Sequence, residues 1–387
     1  MGLPLKYNVR NLFIRWRATA ATIAGIALVV AVYVLLQALA IGLEKSSRNT
    51  GYPLNVVIVR KGSTAESSSQ ITREQFRFIK YLPQIARDKN GNPLVSSEVV
   101  VLINLPRKNG DGEAHVLVRG VSPAGISLRP QVNLVAGRWF VPGHREVIVS
   151  QKLASRFANF DIGSSFKTAG ATLKVVGWMD GQYSAFDSEV WMDVDEARAI
   201  FDRENYSSVI ARIFDEQSIG AFINRIESDK RLPLRAIRET EYYASQTKTA
   251  VPIKILGNFL ATAMSIGAIF AAMNTMYASV GARVREIGTL RVLGWRRRTI
   301  MLAFVIEGAF LAFIGGIFGC LLALPLHGYS TGTVSFDTFS EVVFQFRLTP
   351  GLLVRGMIFA IIAGILGSLL PAMRAARLPV ISALKSV

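Results

Sequence analysis

Four long apolar runs constrain this chain more than any other feature. Residues 18–43, 255–282, 299–326 and 348–373 are 26, 28, 28 and 26 residues long. The first two carry no charge, the third only Glu307 and the fourth only Arg355. A helix needs about 20 residues to cross the hydrocarbon core of a bilayer, so each run is long enough to span it. The mean hydropathy of +0.35 agrees, and it excludes a disordered chain. The first run is about twice as long as the roughly 7–15-residue core of a secretion signal, and no clean A-x-A site follows it. It reads as a retained helix.

The chain carries a formal net charge of +17, and the place of that charge decides its meaning. Residues 1–17 contribute Lys6, Arg10, Arg15 and Arg17 with no acid. Residues 283–298 hold Arg283, Arg285, Arg291, Arg296, Arg297 and Arg298 against Glu286 alone. The tail, 374–387, adds Arg374, Arg377 and Lys385. Four spans put all three basic segments on one side, which the positive-inside rule makes cytoplasmic. Both termini are then cytoplasmic, and residues 44–254 and the short loop 327–347 face outward. The basic excess is a topology and docking signal, and a nucleic-acid partner is not expected.

Before the first span, Leu5, Val9, Leu12, Phe13 and Trp16 fall on one helical face among basic residues. That pattern predicts an interfacial amphipathic helix against the lipid bilayer. The 44–254 segment reads as an α+β domain. Strands are expected at 55–59, 99–104, 114–119, 146–150, 172–177 and 189–192, and helices at 72–81, 195–202 and 218–229. Asp193 or Asp195 is the expected helix cap. The Ser- and Thr-rich stretch 62–70 reads as a mobile loop. The fold class is thus a four-helix membrane protein with a large extracytoplasmic α+β domain between its first and second spans.

No catalytic constellation is legible. H-E-x-x-H, G-x-S-x-G and the phosphate-binding G-x-x-x-x-G-K-[ST] are all missing from the sequence. One Cys, Cys320, and three scattered His leave neither a disulfide framework nor a metal site to expect. The Asp187/Glu189 and Asp193/Asp195 pairs read as solvated strand and helix ends. Within the spans, Gly267/Ala271, Ala268/Ala272, Gly315/Gly319 and Ala360/Gly364 have the small-xxx-small spacing that lets helices approach closely. Asn274 and Glu307 are polar groups inside the membrane, where they are costly. Glu307 pairs with a neighbouring Arg or Lys near the inner interface, or forms a bonded junction that stiffens the helix bundle.

Residues 283–294 read RVREIGTLRVLG, a short helix at the inner membrane face that Gly294 ends. The stretch MNTMYASVGARVREIGTLRVLGWRRRTIMLAFVIEGAFLAFIGGIFG, 273–319, resembles the transmembrane module of MacB/FtsX-type ABC transporter permeases. The ending GSLLPAMRAARLPVISALKSV resembles that family's C-terminal end, and LVAGRWF…EVIVSQKLA…IGSSF…LKVVGW its MacB-like periplasmic core domain.

The resemblance implies a permease subunit that dimerises with a second copy or a homologue and docks separate ABC ATPase subunits, which bind the ATP and Mg. It implies a coupling helix at Arg283, Arg285, Glu286, Ile287, Leu290, Arg291, Leu293 and Gly294. The small-residue spacing, for its part, predicts helix packing through Gly267, Ala271, Gly315, Gly319 and Gly364, within a protomer or across a dimer. The 44–254 domain is expected to have a porter-like lobe at both ends and a β-rich lobe at about 100–195. The resemblance also implies that the chain sits in the inner membrane and that ATP-driven movement of its periplasmic domain exports a periplasmic substrate, with a membrane-fusion adaptor and an outer-membrane channel. Lipoprotein release and FtsX-like activation of a cell-wall hydrolase share the topology. The chain opens at the interfacial helix, which fits the split arrangement with the ATPase on another chain.

Overall fold

The computed structural model describes residues 16–108, 110, 112–246, 250–334 and 341–378. The expected interfacial helix and most of the C-terminal tail lie outside the described residues.

In chain order, α1 (Trp16–Arg48) holds the first span and leads to β1 (Asn55–Arg60). There follow α2 (Arg73–Lys80), β2 (Val95–Pro106), β3 (Glu113–Val121), α3 (Pro123–Ser127), β4 (Asn133–Gly137), β5 (Glu146–Ser150) and α4 (Gln151–Ala154). Next come β6 (Ser165–Thr168), β7 (Ala171–Asp180), β8 (Glu189–Asp193), α5 (Val194–Ile200), β9 (Ser208–Arg212), α6 (Gln217–Ser228), β10 (Leu234–Arg238) and α7 (Glu239–Gln246). The membrane helices α8 (Ala250–Ala282), α10 (Arg297–Ala323) and α11 (Pro350–Ala376) follow, with the short α9 (Val284–Val292) between the first two. Strands β11 (Ser330–Val334) and β12 (Glu341–Gln345) pair antiparallel within the loop before α11, which the sequence reading left without structure.

Among the described residues, four helices are long and apolar enough to cross a membrane: Thr19–Gly42, Ile255–Ala282, Arg297–Leu326 and Pro350–Ala376. They belong to one compact unit, and residues 42–251 with 330–345 form the other.

In the second unit one sheet runs in the order β10-β1-β9-β2-β3-β8-β5-β7-β4, with β6 paired to β7. The pairs β3–β8 and β5–β7 are parallel, and the rest are antiparallel. The two expected lobes therefore share a sheet. Strand β2 joins them: its first residues pair with β9 and the remainder with β3, and Glu98 takes part in both pairings, opposite Ser208 and Val121.

The sheet is buried on both faces, because alternate residues feed two separate cores. Val56, Val147, Val190, Met192 and Val209 enter one, with Ile219, Phe222 and Ile226 of α6. Val57, Ile148, Trp191 and Ile210 enter the other, with Leu128, Phe186, Tyr242 and Tyr243. Burial on both faces explains why β5 and β8 read as continuous apolar runs.

Local signals fixed the helix ends. Thr72 and Gln75 form a reciprocal capping box on α2. Asp193 caps α5 by accepting from the Asp195 and Glu196 N–H groups.

Candidate functional site

The basic segment after the second span folds as expected of a short helix, and its residues divide by environment. Arg283 sits at the N-cap position of α9. Ile287 is buried with Met276, Val280, Ile300 and Phe304, so it is a core residue and not a docking one. Glu286, Leu290 and Arg291 are half-buried, and the Arg291 guanidinium donates to the Trp295 carbonyl at 3.4 Å. Arg285 is exposed, and Val292 and Leu293 are each 61% exposed.

Gly294 ends the helix with φ +92°, a conformation that costs a side-chain-bearing residue strain. Its N–H reaches Arg291 O at 3.1 Å, and the Trp295 N–H reaches Leu290 O at 3.1 Å. That pair of bonds is a Schellman motif. The exposed apolar pair Val292–Leu293 therefore stands at a sharply defined corner, followed by the exposed Arg296, Arg297 and Arg298.

Two expected site residues come together across 24 positions. The Arg283 guanidinium donates from Nη1 to Glu307 Oε2 at 2.9 Å and from Nη2 to Oε1 at 3.1 Å. Both side chains are buried, at 7% and 2% exposure, and the guanidinium lies 5.8 Å from the Phe304 ring centroid. A bidentate fork of this kind fixes both orientation and distance. It ties the start of α9 to the middle of α10. Arg283 is thus an anchor of α9, facing inward.

Packing of the membrane helices uses glycine at defined points. A Cβ placed on Gly364 would lie 2.3 Å from Ala312 Cβ, and one on Gly308 would lie 2.5 Å from Ser368 Cβ. Gly315 and Gly319 of α10 approach Ile26, Ala27 and Val30 of α1 equally closely. Gly367 approaches Ala272 and Ile269 of α8. Gly267 meets nothing within 4 Å, and Ala271 is exposed with it. Within this chain the packed face of α8 is instead that of Ala268 and Ala272. Asn274 is exposed on α8. A second polar contact between spans escaped the sequence reading: the Gln37 amide donates to Asn258 Oδ1 at 3.0 Å.

The inter-span domain contains a buried charge network that the sequence reading missed. Arg119 donates to Glu189 through Nε and Nη2 (both 2.8 Å), to Glu66 through Nη1 and Nη2 (both 3.0 Å), and to Glu98 through Nη1 at 2.8 Å. Arg129 holds the other side of Glu98 and stands 3.8 Å from Glu239. Ser208 donates to Glu66, and the Trp191 indole to Glu189. Each of the six charged groups is buried.

The stretch 62–70, expected to be a mobile loop, therefore carries a short 3-10 helix that delivers Glu66 into the core. Glu189 and Asp187, expected to be solvated, are buried: Glu189 in this network, Asp187 against Lys152 and the Gly181 and Tyr183 N–H groups. Asp193 is buried as the α5 cap, and of the four only Asp195 is exposed.

Burial works against charge throughout this network, and the neighbours decide each outcome. Burial pushes the Glu66 carboxyl up, but Arg119 outweighs it and holds Glu66 below the usual range. At Glu239 burial wins over Arg129, and the carboxyl lies above its ordinary value. Burial also opposes the charge on Arg119, yet Glu189 and Glu66 hold it firmly protonated.

Four apolar helices and a large inter-span sheet domain, with an anchored basic helix between the second and third spans, define a membrane permease architecture. Two family models match the chain in that order: the MacB-like periplasmic core domain over residues 19–229 and the FtsX-like permease C-terminal over residues 258–380. The chain belongs to the MacB/FtsX family of ABC transporter permeases. Family membership and the four apolar helices make the chain a membrane protein of the ABC permease type.

Among its relatives, the uncharacterized ABC transporter permease YknZ of Bacillus subtilis is 28% identical, covering 70% of each chain. The macrolide export ATP-binding/permease protein MacB of Brucella abortus is 30% identical over 46% of this chain and 27% of its own. The pyoverdine export ATP-binding/permease protein PvdT of Pseudomonas entomophila is 24% identical over 97% of this chain and 58% of its own. The chain thus spans only part of the length of the MacB and PvdT relatives. Among solved structures it is similar to the extracellular domain of YknZ from Gram-positive bacteria, with a TM-score of 0.36 and 14% identity over 47% of this chain and 99% of that one. The periplasmic region of MacB from Actinobacillus actinomycetemcomitans gives a TM-score of 0.38 and 12% identity over 50% of this chain and 92% of that one.

Proposed function

We propose that this chain is the membrane subunit of an ATP-driven exporter whose ATPase docks on α9 from the cytoplasmic side. The observation that carries the reading is the division of α9 into two faces. Ile287 and Arg283 lock one side to α8 and α10, and Arg285, Val292 and Leu293 leave the other side open. A lever needs such a rigid attachment opposite its contact surface. ATP and Mg belong to the ATPase. Its closure moves α9, the Arg283–Glu307 fork passes the motion to α10, and the inter-span domain acts on a substrate outside the cytoplasmic membrane.

The basic flanks support cytoplasmic termini. The working unit contains two permease copies. An adaptor and an outer-membrane channel complete the path in a cell with an outer membrane. Two of the relatives carry export in their names, macrolide export and pyoverdine export, which favours export over lipoprotein release or hydrolase activation.

Co-purification from native membranes tests the docking reading. The wild-type chain should bring down an ATP-binding protein in a 1:1 ratio. Val292→Asp with Leu293→Asp should lose it while remaining folded in the membrane. Recovery of the same protein with the double variant, or of none with the wild type, would sink the reading.

A further inference from the structure

The two segments that connect the inter-span domain to the first and second spans meet each other inside that domain. The lead from α1 runs through Asn49, Thr50, Gly51 and Tyr52 into β1. The lead into α8 begins at Glu239, the first residue of α7. One oxygen of Glu239 serves both: Oε2 accepts from the Tyr52 backbone N–H at 2.9 Å and from the Asn55 amide at 2.8 Å.

Asn55 is buried and saturated. Its amide also donates to Leu128 O at 3.0 Å, and its oxygen accepts from Arg212. Arg212 in turn donates to Leu128 O at 2.8 Å and stacks 3.8 Å over the Tyr52 ring. Arg129 faces the other Glu239 oxygen and connects it through Glu98 to Arg119, Glu66 and Glu189, in the middle of the sheet. At Gly51 the leads approach so closely that a Cβ would lie 2.5 Å from the Thr240 nitrogen and 2.7 Å from the Glu239 carbonyl carbon.

This arrangement is more specific than stability requires. A buried ion network is worth little net stability compared with apolar packing of the same volume, so its placement asks for another reason. Here it lies where the two chain segments that lead to the first and second spans join the sheet. Glu98 marks the same point within the sheet, at the residue where β2 passes from β9 to β3.

We propose that Glu239 is a latch that makes the two membrane-connected leads, 49–55 and 239–246, move as one body with the sheet. The proposal rests on the coupling reading given above, in which helix motion drives the inter-span domain. Glu239 is a positioning residue. It touches no substrate, and its role is to prevent the α1 and α8 leads from sliding independently. Arg129 and Asn55 set its orientation, and Gly51 allows the approach.

The test is hydrogen exchange by mass spectrometry on the full chain, in the complex it forms in its native membrane, with and without ATP and vanadate. Glu239→Ala removes an acceptor from two buried donors and should speed exchange of 49–55 and 239–246 by about tenfold to hundredfold. Gly51→Ala should do the same by steric wedging while leaving every charge in place. Glu239→Gln keeps an oxygen that accepts both bonds and should exchange as the wild type does.

In the wild type and Glu239→Gln, nucleotide should change exchange in β3 and β8. In Glu239→Ala and Gly51→Ala that change should be lost. Unaltered exchange of β7 serves as the control for folding, and if Glu239→Ala fails it, Gly51→Ala decides. Leads that stay protected in both variants overturn the latch. So does a nucleotide response in β3 and β8 that survives loosened leads. A wild-type complex with no nucleotide response overturns the coupling reading and the proposal with it. The lead exchange of the variants distinguishes that result from a failed latch.

Discussion

Breaking the Arg283–Glu307 fork from one side should damage the membrane unit far more than removing it from both. Glu307 is 4% exposed, and its two oxygens hold Arg283 at 2.9 and 3.1 Å. Glu307→Leu leaves a buried guanidinium without its counter-charge, and Arg283→Met leaves a buried carboxylate. Each should cost about 3–5 kcal/mol, the range for half-broken buried pairs. Arg283→Met with Glu307→Leu replaces both charges by apolar groups of similar length and should cost under about 1 kcal/mol. A double-mutant cycle of the two singles and the double then measures how strongly the pair is coupled, because the other contacts of each side chain are lost equally in the single and the double.

The single cysteine supplies the assay. Cys320 lies on α10, half-buried, so a dye that fluoresces on reacting with thiols reports melting of the membrane unit in detergent micelles. At about 2–4 °C per kcal/mol, the single variants should melt roughly 6–20 °C below wild type and the double variant within about 4 °C of it. Three melting points close together, or a double variant whose shift equals the sum of the singles, would refute the reasoning. The pair would then be two independent groups that happen to lie near each other.

The remaining predictions concern packing and charge. Gly364→Val forces a side chain into the space held by Ala312 and should cost at least about 1–3 kcal/mol, lowering the yield of folded protein. Gly267→Val points into open space within this chain, and size-exclusion analysis should find the monomer intact. Arg119→Met strands Glu66 and Glu189 in the core and leaves Glu98 to Arg129 alone, and tryptophan fluorescence should show a domain destabilised by about 3–5 kcal/mol.

Glu239 also sets a pH dependence with a definite sign. Its carboxyl lies above the ordinary value when folded, so the folded state binds its proton more tightly than the unfolded chain does. Its contribution is therefore present below the ordinary carboxylate range and is lost as pH rises through the elevated value. Glu239→Gln should flatten that part of the melting-temperature profile, and an unchanged slope would contradict it.

What could be read in the sequence followed the range over which each signal acts. The apolar runs, the Asp193 cap and the Gly294 stop are decided within a few residues and were visible there; the Thr72–Gln75 box is equally local but went unread. The Arg283–Glu307 fork links positions 24 apart, and Glu66 reaches Arg119 across 53. No periodicity reports such pairings. A stretch rich in Ser and Thr looks like a loop until the fold shows its one acid entering a core.

Small-residue spacing has a related ambiguity. Gly267/Ala271 and Ala268/Ala272 have the same pattern one residue apart, a rotation of about 100°. Only neighbouring helices distinguish the packed face from the open one. Two-sided burial likewise hid the alternation of β5 and β8, although their length and composition still marked them as strands.

The most direct test of the central claim places a photoreactive amino acid at Leu293 in cells that carry the chain in their own membrane. Leu293 is 61% exposed at the corner that ends α9, so its side chain is within reach of a docked subunit. Irradiation should yield a single protein adduct whose peptides carry a G-x-x-x-x-G-K-[ST] loop, and the same probe at Ile287, buried in the core, should yield none. Lipid adducts alone at Leu293, or adducts to a protein without a nucleotide-binding loop, would contradict the account.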